Sequence, residues 1–165
     1  MPATVEGRID LLDPALESPS FRATNARGNS VLLGSTPTDP TQAEQWTGVS
    51  PMEVVLLGLG GCTGIDVVST LRKARQKVTR YSVSVRGERR DEHPRIYTRI
   101  AVEHQLRGTG LRDSAVRRAI ELSAETYCSV SAMLAASAEI EITYRTVDDA
   151  TGAETTGAIT AKHRR

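Results

Sequence analysis

Residues 50–53 carry a helix start, and it fixes where the longest element of this chain begins. Ser50-Pro51-Met52-Glu53 places Ser at the cap, Pro at the first helical position and Glu at the third, the capping-box arrangement. A long helix is predicted from 51 to about 76. Its first half is apolar on nearly every face, through Val54, Val55, Leu56, Leu57, Leu59, Ile65, Val67, Val68 and Leu71. A helix that is apolar all round belongs in the centre of a protein or at an interface. It ends on Arg72-Lys73-Ala74-Arg75-Gln76-Lys77, whose charge suits the negative pole of the helix dipole. Gly58, Gly60, Gly61 and Gly64 interrupt it, at about 1 kcal/mol each relative to Ala. Such a run is tolerated where something packs against a thin backbone, or where the thiol of Cys62 must be reached past it. The run does not match G-x-G-x-x-G, because Thr63 stands at the third Gly position. A helix start precedes it rather than a strand, so no dinucleotide site is expected.

The rest of the pattern is mainly β. Residues 5–9 read as a short strand, and 13–20, with two prolines, break it. Residues 21–25 and 30–33 flank Asn25-Ala26-Arg27-Gly28-Asn29, a hairpin turn with Gly and Asn available for positive φ. Residues 36–47 read as a polar loop. Residues 81–87 alternate through Tyr81, Val83 and Val85, and 95–106 alternate through Ile96, Ile100, Val102 and His104. Asp91-Glu92-His93-Pro94 joins them into a long hairpin. Residues 113–128 form an amphipathic helix and 129–136 a short further one. Residues 139–144 form a strand, and the Thr-, Gly- and Ala-rich 147–165 an irregular tail. The order β-β-β-α-β-β-α-(α)-β is an α+β class. At 165 residues a single domain over 1–165 is expected, with 1–20 and 147–165 its less regular ends.

Composition removes several function classes. Lys plus Arg is 21 and Asp plus Glu 20, so no basic field exists to drive nucleic-acid binding. The longest apolar run, 54–59, is too short to span a bilayer. Residues 1–10 are polar and lack a signal core, so a cytoplasmic protein is expected. The two cysteines, Cys62 and Cys128, lie 66 positions apart, with no C-x-x-C. His93, His104 and His163 show no ligand spacing, so neither a disulfide framework nor a structural metal is expected.

The cysteines occupy unusual places. Cys62 sits in the glycine run. Cys128 ends one amphipathic helix and opens the segment Cys128-Ser129-Val130-Ser131-Ala132-Met133, and a thiol at a helix N-terminus has a lowered pKa. Two such cysteines suggest a peroxidatic and resolving pair; two small buried hydrophobes are the alternative. Spacing alone leaves both open.

Three segments together resemble the OsmC/Ohr family, and more narrowly its OsmC-like branch. They are Ser50-Pro51-Met52-Glu53, then Gly60-Gly61-Cys62-Thr63-Gly64-Ile65-Asp66-Val67-Val68, then Tyr127-Cys128-Ser129-Val130-Ser131. The resemblance covers roughly 21–144. It implies an intertwined α+β homodimer with the long central helices back to back and two active sites at the subunit interface. It also implies thiol-dependent reduction of hydroperoxides, preferably organic ones, in oxidative stress defence, without metal or organic cofactor. Carried over, Cys62 is the peroxidatic thiolate and Cys128 the resolving cysteine, and an external dithiol resets the disulfide.

Other residues are marked by the same resemblance. The family's Arg lies on the early strands or the turn between them. Arg22 and Arg27 are the candidates here, with Arg27 in the turn the better placed. The family's peroxidases carry a Glu ten residues before the first Cys. Met52 stands there, and the acid is Glu53, nine before. One residue of offset turns a helical side chain by about 100°, so Glu53 reads as a catalytic acid or only as the capping partner of Ser50. Asp66, one turn after Cys62 on the same face, disfavours a thiolate; it reads instead as pairing with an Arg of the partner subunit or as capping a strand. Tyr127 reads as a packing residue, and His104 as a surface or core histidine. The competing reading is a non-catalytic, small-molecule-binding or redox-sensing member of the same fold.

Overall fold

The computed structural model describes residues 4–12, 18–35, 37 and 39–160. The chain divides into two compact units, Met1–Val55 and Leu56–Arg165. In the first, β1 (Gly7–Leu11), β2 (Ser20–Asn25) and β3 (Ser30–Gly34) form an antiparallel sheet in chain order. The β2–β3 turn is the expected hairpin: Gly28 takes φ 83, and Asn25 and Asn29 close it by backbone hydrogen bonds. Most of the break expected at 13–20 lies outside the described residues. A short helix, α1 (Pro40–Gln45), stands in the expected polar loop.

The helix predicted from residue 51 is α2 (Pro51–Lys73). It begins on the capping box as read. The Ser50 N–H donates to Glu53 Oε2 at 2.7 Å, and the Glu53 N–H to Ser50 Oγ at 3.3 Å. It stops short of 76 because Arg75 turns into the left-handed region at φ 55. The expectation of all-round burial fails within one chain. Only Leu59, Thr63, Val67 and Leu71 are buried, one stripe at four-residue spacing, whereas Leu57 is 56% and Ile65 70% exposed. The apolar run counted as 54–59 also understates the helix. Its 23 residues, with a window of mean hydropathy 1.8, are long and apolar enough to cross a membrane by length and composition. Small residues extend the apolar segment where large ones stop.

The second unit is built on a four-stranded sheet, β4 (Lys77–Arg89), β5 (Tyr97–Thr109), β6 (Glu139–Asp148) and β7 (Glu154–Ile159), in that order. The β4–β5 and β6–β7 pairs are antiparallel and β5–β6 parallel. The parallel pair requires a crossover. α3 (Asp113–Leu122), a π-helical turn (Ser123–Tyr127) and α4 (Ser129–Leu134) supply it. Ile100, Val102, His104 and Leu106 alternate inward along β5, and Val116, Ala119 and Ile120 face in from α3.

The tail read as irregular is the end of β6 and the whole of β7. Its composition hid it. Only Ile159 of β7 is buried, so no alternation marks the strand, and backbone pairing to β6 holds it. A Cβ at Gly157 would lie 2.5 Å from the Tyr144 ring, so the glycine admits that ring. Residues 161–165, with His163, lie outside the described residues.

His104 is a core histidine. Burial lowers its pKa from 6.5 to about 4 and pushes the Tyr81 phenol up. The phenol and the neutral ring share a hydrogen bond of 2.6 Å at Nδ1. The unfolded chain takes up a proton near 6.5 and the folded chain only near 4. Stability is thus fully present above about 6.5 and falls toward pH 4, by about 3 kcal/mol. Denaturant unfolding at several pH values checks this: His104→Gln should flatten that part of the profile, and an unchanged profile would refute the assignment.

Candidate active site

The face positions along α2 follow from its 100° per residue. Cys62 and Asp66 form one edge beside the buried stripe, both half-buried. Gly60 and Gly64 form the other edge. A Cβ at Gly60 would stand 3.3 Å from Val85 Cγ1, and one at Gly64 3.5 Å from Tyr81 Cε1. These two glycines therefore let β4 lie close against the helix. Gly58 and Gly61 have nothing within 4 Å of such a Cβ. They share the exposed face with Leu57 and Ile65, opposite the buried stripe. An open groove of about 590 Å³ runs along the helix and β4.

Cys128 is placed by the π-helical turn. Its N–H donates to the Ser123 carbonyl at 2.9 Å, and its backbone then leaves the helix at φ −73, ψ 98 to cap α4. As the sequence suggested, it ends one helical segment and opens another. Its sulfur accepts the Ser131 N–H at 3.4 Å, and the residue is 3% exposed. The pKa moves opposite to the helix-terminus expectation. Burial pushes the thiol up to about 12, the Ser131 N–H opposes this in part, and Cys62 and Asp66 add to the rise. The short α4 contributes one donor, and desolvation of the thiolate outweighs it.

The crossover brings Cys128 to the cysteine edge of α2. The sulfurs of Cys62 and Cys128 and a carboxylate oxygen of Asp66 all lie within 4.8 Å of one another. Within the chain Asp66 is hydrogen-bonded to Ser123. Ser123 Oγ lies 3.0 Å from Asp66 Oδ2 and 3.0 Å from Thr63 Oγ1. The Ser123 and Thr63 hydroxyls and the Asp66 carboxyl form one network, in which Ser123 donates to Asp66 Oδ2. Sequence reading missed Thr63 and Ser123. A signal was present, because each places a hydroxyl on an otherwise apolar stripe, where a buried polar group requires a partner.

The other expected residues lie apart from this cluster or in the first unit. Glu53 is exposed, and its bonds with Ser50 hold its carboxyl below the usual range. Arg27 is exposed in the β2–β3 turn, where its N–H donates to Asn25 Oδ1, and Arg22 is exposed on β2 opposite Asp10. Tyr127, at the end of the π-helical turn, is 55% exposed and does not pack as expected. His104 lies in the sheet core against Tyr81.

Fold and site together define an α+β protein with a close thiol pair, one sulfur on a central helix and the other on a buried helix cap. A family model described as OsmC-like protein matches residues 42–143, and the chain belongs to this family. It is 41% identical over 132 residues to Protein YhfA of Escherichia coli strain K12, covering 80% of this chain and 93% of that protein. A hypothetical protein from Aquifex aeolicus VF5 superposes with TM-score 0.76 at 28% identity, over 90% of this chain and 99% of that one. An organic hydroperoxide resistance protein from Legionella pneumophila superposes with TM-score 0.59 at 11% identity, over 88% and 97%. That last likeness bears on the fold alone.

Proposed function

We propose that the protein is a thiol-dependent peroxidase that reduces organic hydroperoxides in the cytoplasm, as part of oxidative stress defence. The observation that carries this reading is the approach of two cysteine sulfurs from separate elements to within 4.8 Å. Cys62 is the peroxidatic residue, since it is half-exposed, whereas Cys128 is buried and held as the thiol. The Cys62 thiolate attacks the distal peroxide oxygen, the O–O bond breaks and the alcohol leaves. The sulfenic acid then condenses with the Cys128 thiol, forming the disulfide and releasing water. An external dithiol returns both thiols. In this reading Glu53 is a helix cap, and Arg27, before Arg22, is the candidate for the basic side chain that holds the thiolate. The test is hydroperoxide consumption by the purified protein with a dithiol reductant. A redox-sensing role, in which the disulfide forms but turnover is slow, is favoured by the buried Cys128, whose high pKa slows the resolving step.

The reading includes a homodimer in which a second copy covers the exposed face of α2. Leu57 and Ile65 on that face, and the space over Gly58 and Gly61, support it. On a free helix face, Gly61→Ala should stabilise by about 1 kcal/mol. With a second helix packed there, the added methyl should instead lower the melting temperature and shift the protein toward monomer. Sedimentation with thermal unfolding of the variant decides between the two.

A further inference from the structure

The cluster of Cys62, Asp66 and Cys128 has a second chemical competence. The three donor atoms lie within 4.8 Å of one another. A tetrahedral zinc ion takes thiolate sulfur at about 2.3 Å and carboxylate oxygen at about 2.0–2.2 Å, which puts its ligands about 3.5–3.8 Å apart. Small side-chain rotations close the difference. Cys62 and Asp66 stand four residues apart on α2, a spacing that presents two ligands on one helix face. Ser123 donates to Asp66 Oδ2 and so orients the carboxylate as an outer-shell partner does. Two sulfurs and one oxygen select a borderline-soft cation over magnesium or calcium, and three protein ligands leave a fourth position open. Sequence spacing gave no hint of this, because the ligands come from two elements that only the crossover joins.

We propose that the reduced protein binds one zinc-like divalent cation per chain through Cys62, Cys128 and Asp66, and that the disulfide form does not. Binding replaces the two thiol protons, which pass to solvent. Oxidation reverses it: one hydroperoxide and two protons convert the metal-bound thiolate pair to disulfide, alcohol and water, and the cation is set free. The cation would thus occupy the same sulfurs that the peroxidase reading employs. The binding claim rests on geometry and stands without that reading.

The experiment uses full-length protein reduced with a phosphine, titrated with Co²⁺ and then with Zn²⁺ against a chromophoric chelator, with no peroxide present. The expected result is one Co²⁺ per chain with a thiolate-to-cobalt charge-transfer band. Cys62→Ser and Cys128→Ser should each roughly halve that band, and the oxidised protein should lack it. Asp66→Asn should weaken Zn²⁺ at least about tenfold, and Asp66→Glu should restore part of the loss. Absence of the band in the reduced wild type would overturn the proposal. So would a band indifferent to Cys128→Ser, or Asp66→Asn binding as tightly as wild type with circular dichroism unchanged. Failure of peroxide turnover would leave this result intact, so the two readings fail separately.

Discussion

Replacing Cys62 by serine should reduce hydroperoxide consumption to the uncatalysed background. A serine hydroxyl forms no stable counterpart of the sulfenic acid, so loss of this one sulfur ends the cycle at its first step. Cys128→Ser should behave differently. Its Cys62 still attacks, so each chain consumes one equivalent of hydroperoxide without reductant and then stalls as the sulfenic acid, which a dimedone adduct reports by mass. The wild-type protein adds a pH signature. Burial pushes the Cys128 thiol up to about 12, so its thiolate fraction grows about tenfold per pH unit through the neutral range. Sulfenic acid formed in a single peroxide pulse should therefore disappear more slowly at pH 6 than at pH 8. Full turnover by Cys62→Ser would remove the peroxidase reading. Equal decay at both pH values would mean that resolution does not wait on deprotonation of Cys128.

Oxidation should also raise the melting temperature. A Cys62–Cys128 bond closes a loop of 66 positions, for which the chain-entropy treatment gives about 4 kcal/mol. In a chain of this size each kcal/mol moves the midpoint by about 2–4 °C, so the oxidised protein should melt roughly 10 °C above the reduced one. Calorimetry on peroxide-treated and dithiol-treated samples measures it, and Cys128→Ser should show no difference between treatments. A lower midpoint on oxidation would mean that the bond pulls α2 and the α4 cap out of their native positions.

Legibility in the sequence tracks the range of the forces involved. The α2 start was legible because its cap is made among neighbours, Ser50 and Glu53. The β2–β3 and β4–β5 hairpins were legible because alternation and turn residues sit side by side. β7 was not, since its stability comes from pairing to β6 and from the fit of Tyr144 over Gly157, both remote in the chain. Of the site, the two cysteines were found through a resemblance carried by their flanking residues. The Thr63–Ser123–Asp66 network and the raised pKa of Cys128 depend on burial created by the crossover. The exposed face of α2 shows the opposite limit. Composition described a helix buried all round, and a single chain buries one stripe of it.

The parallel β5–β6 pair bears on the order in which this chain matures. The β4–β5 hairpin forms between adjacent segments and needs only a short turn. β6 joins β5 only after the whole segment carrying α3 and α4 has been folded back over the sheet, the slow, entropically costly kind of step. Cys128 rides on that segment, so the two thiols first meet at this late closure. Before it, an oxidant encounters two separate thiols on an unfinished chain. Afterwards the two sulfurs stand within 4.8 Å of each other, so in the proposed cycle the intramolecular bond belongs to the finished fold.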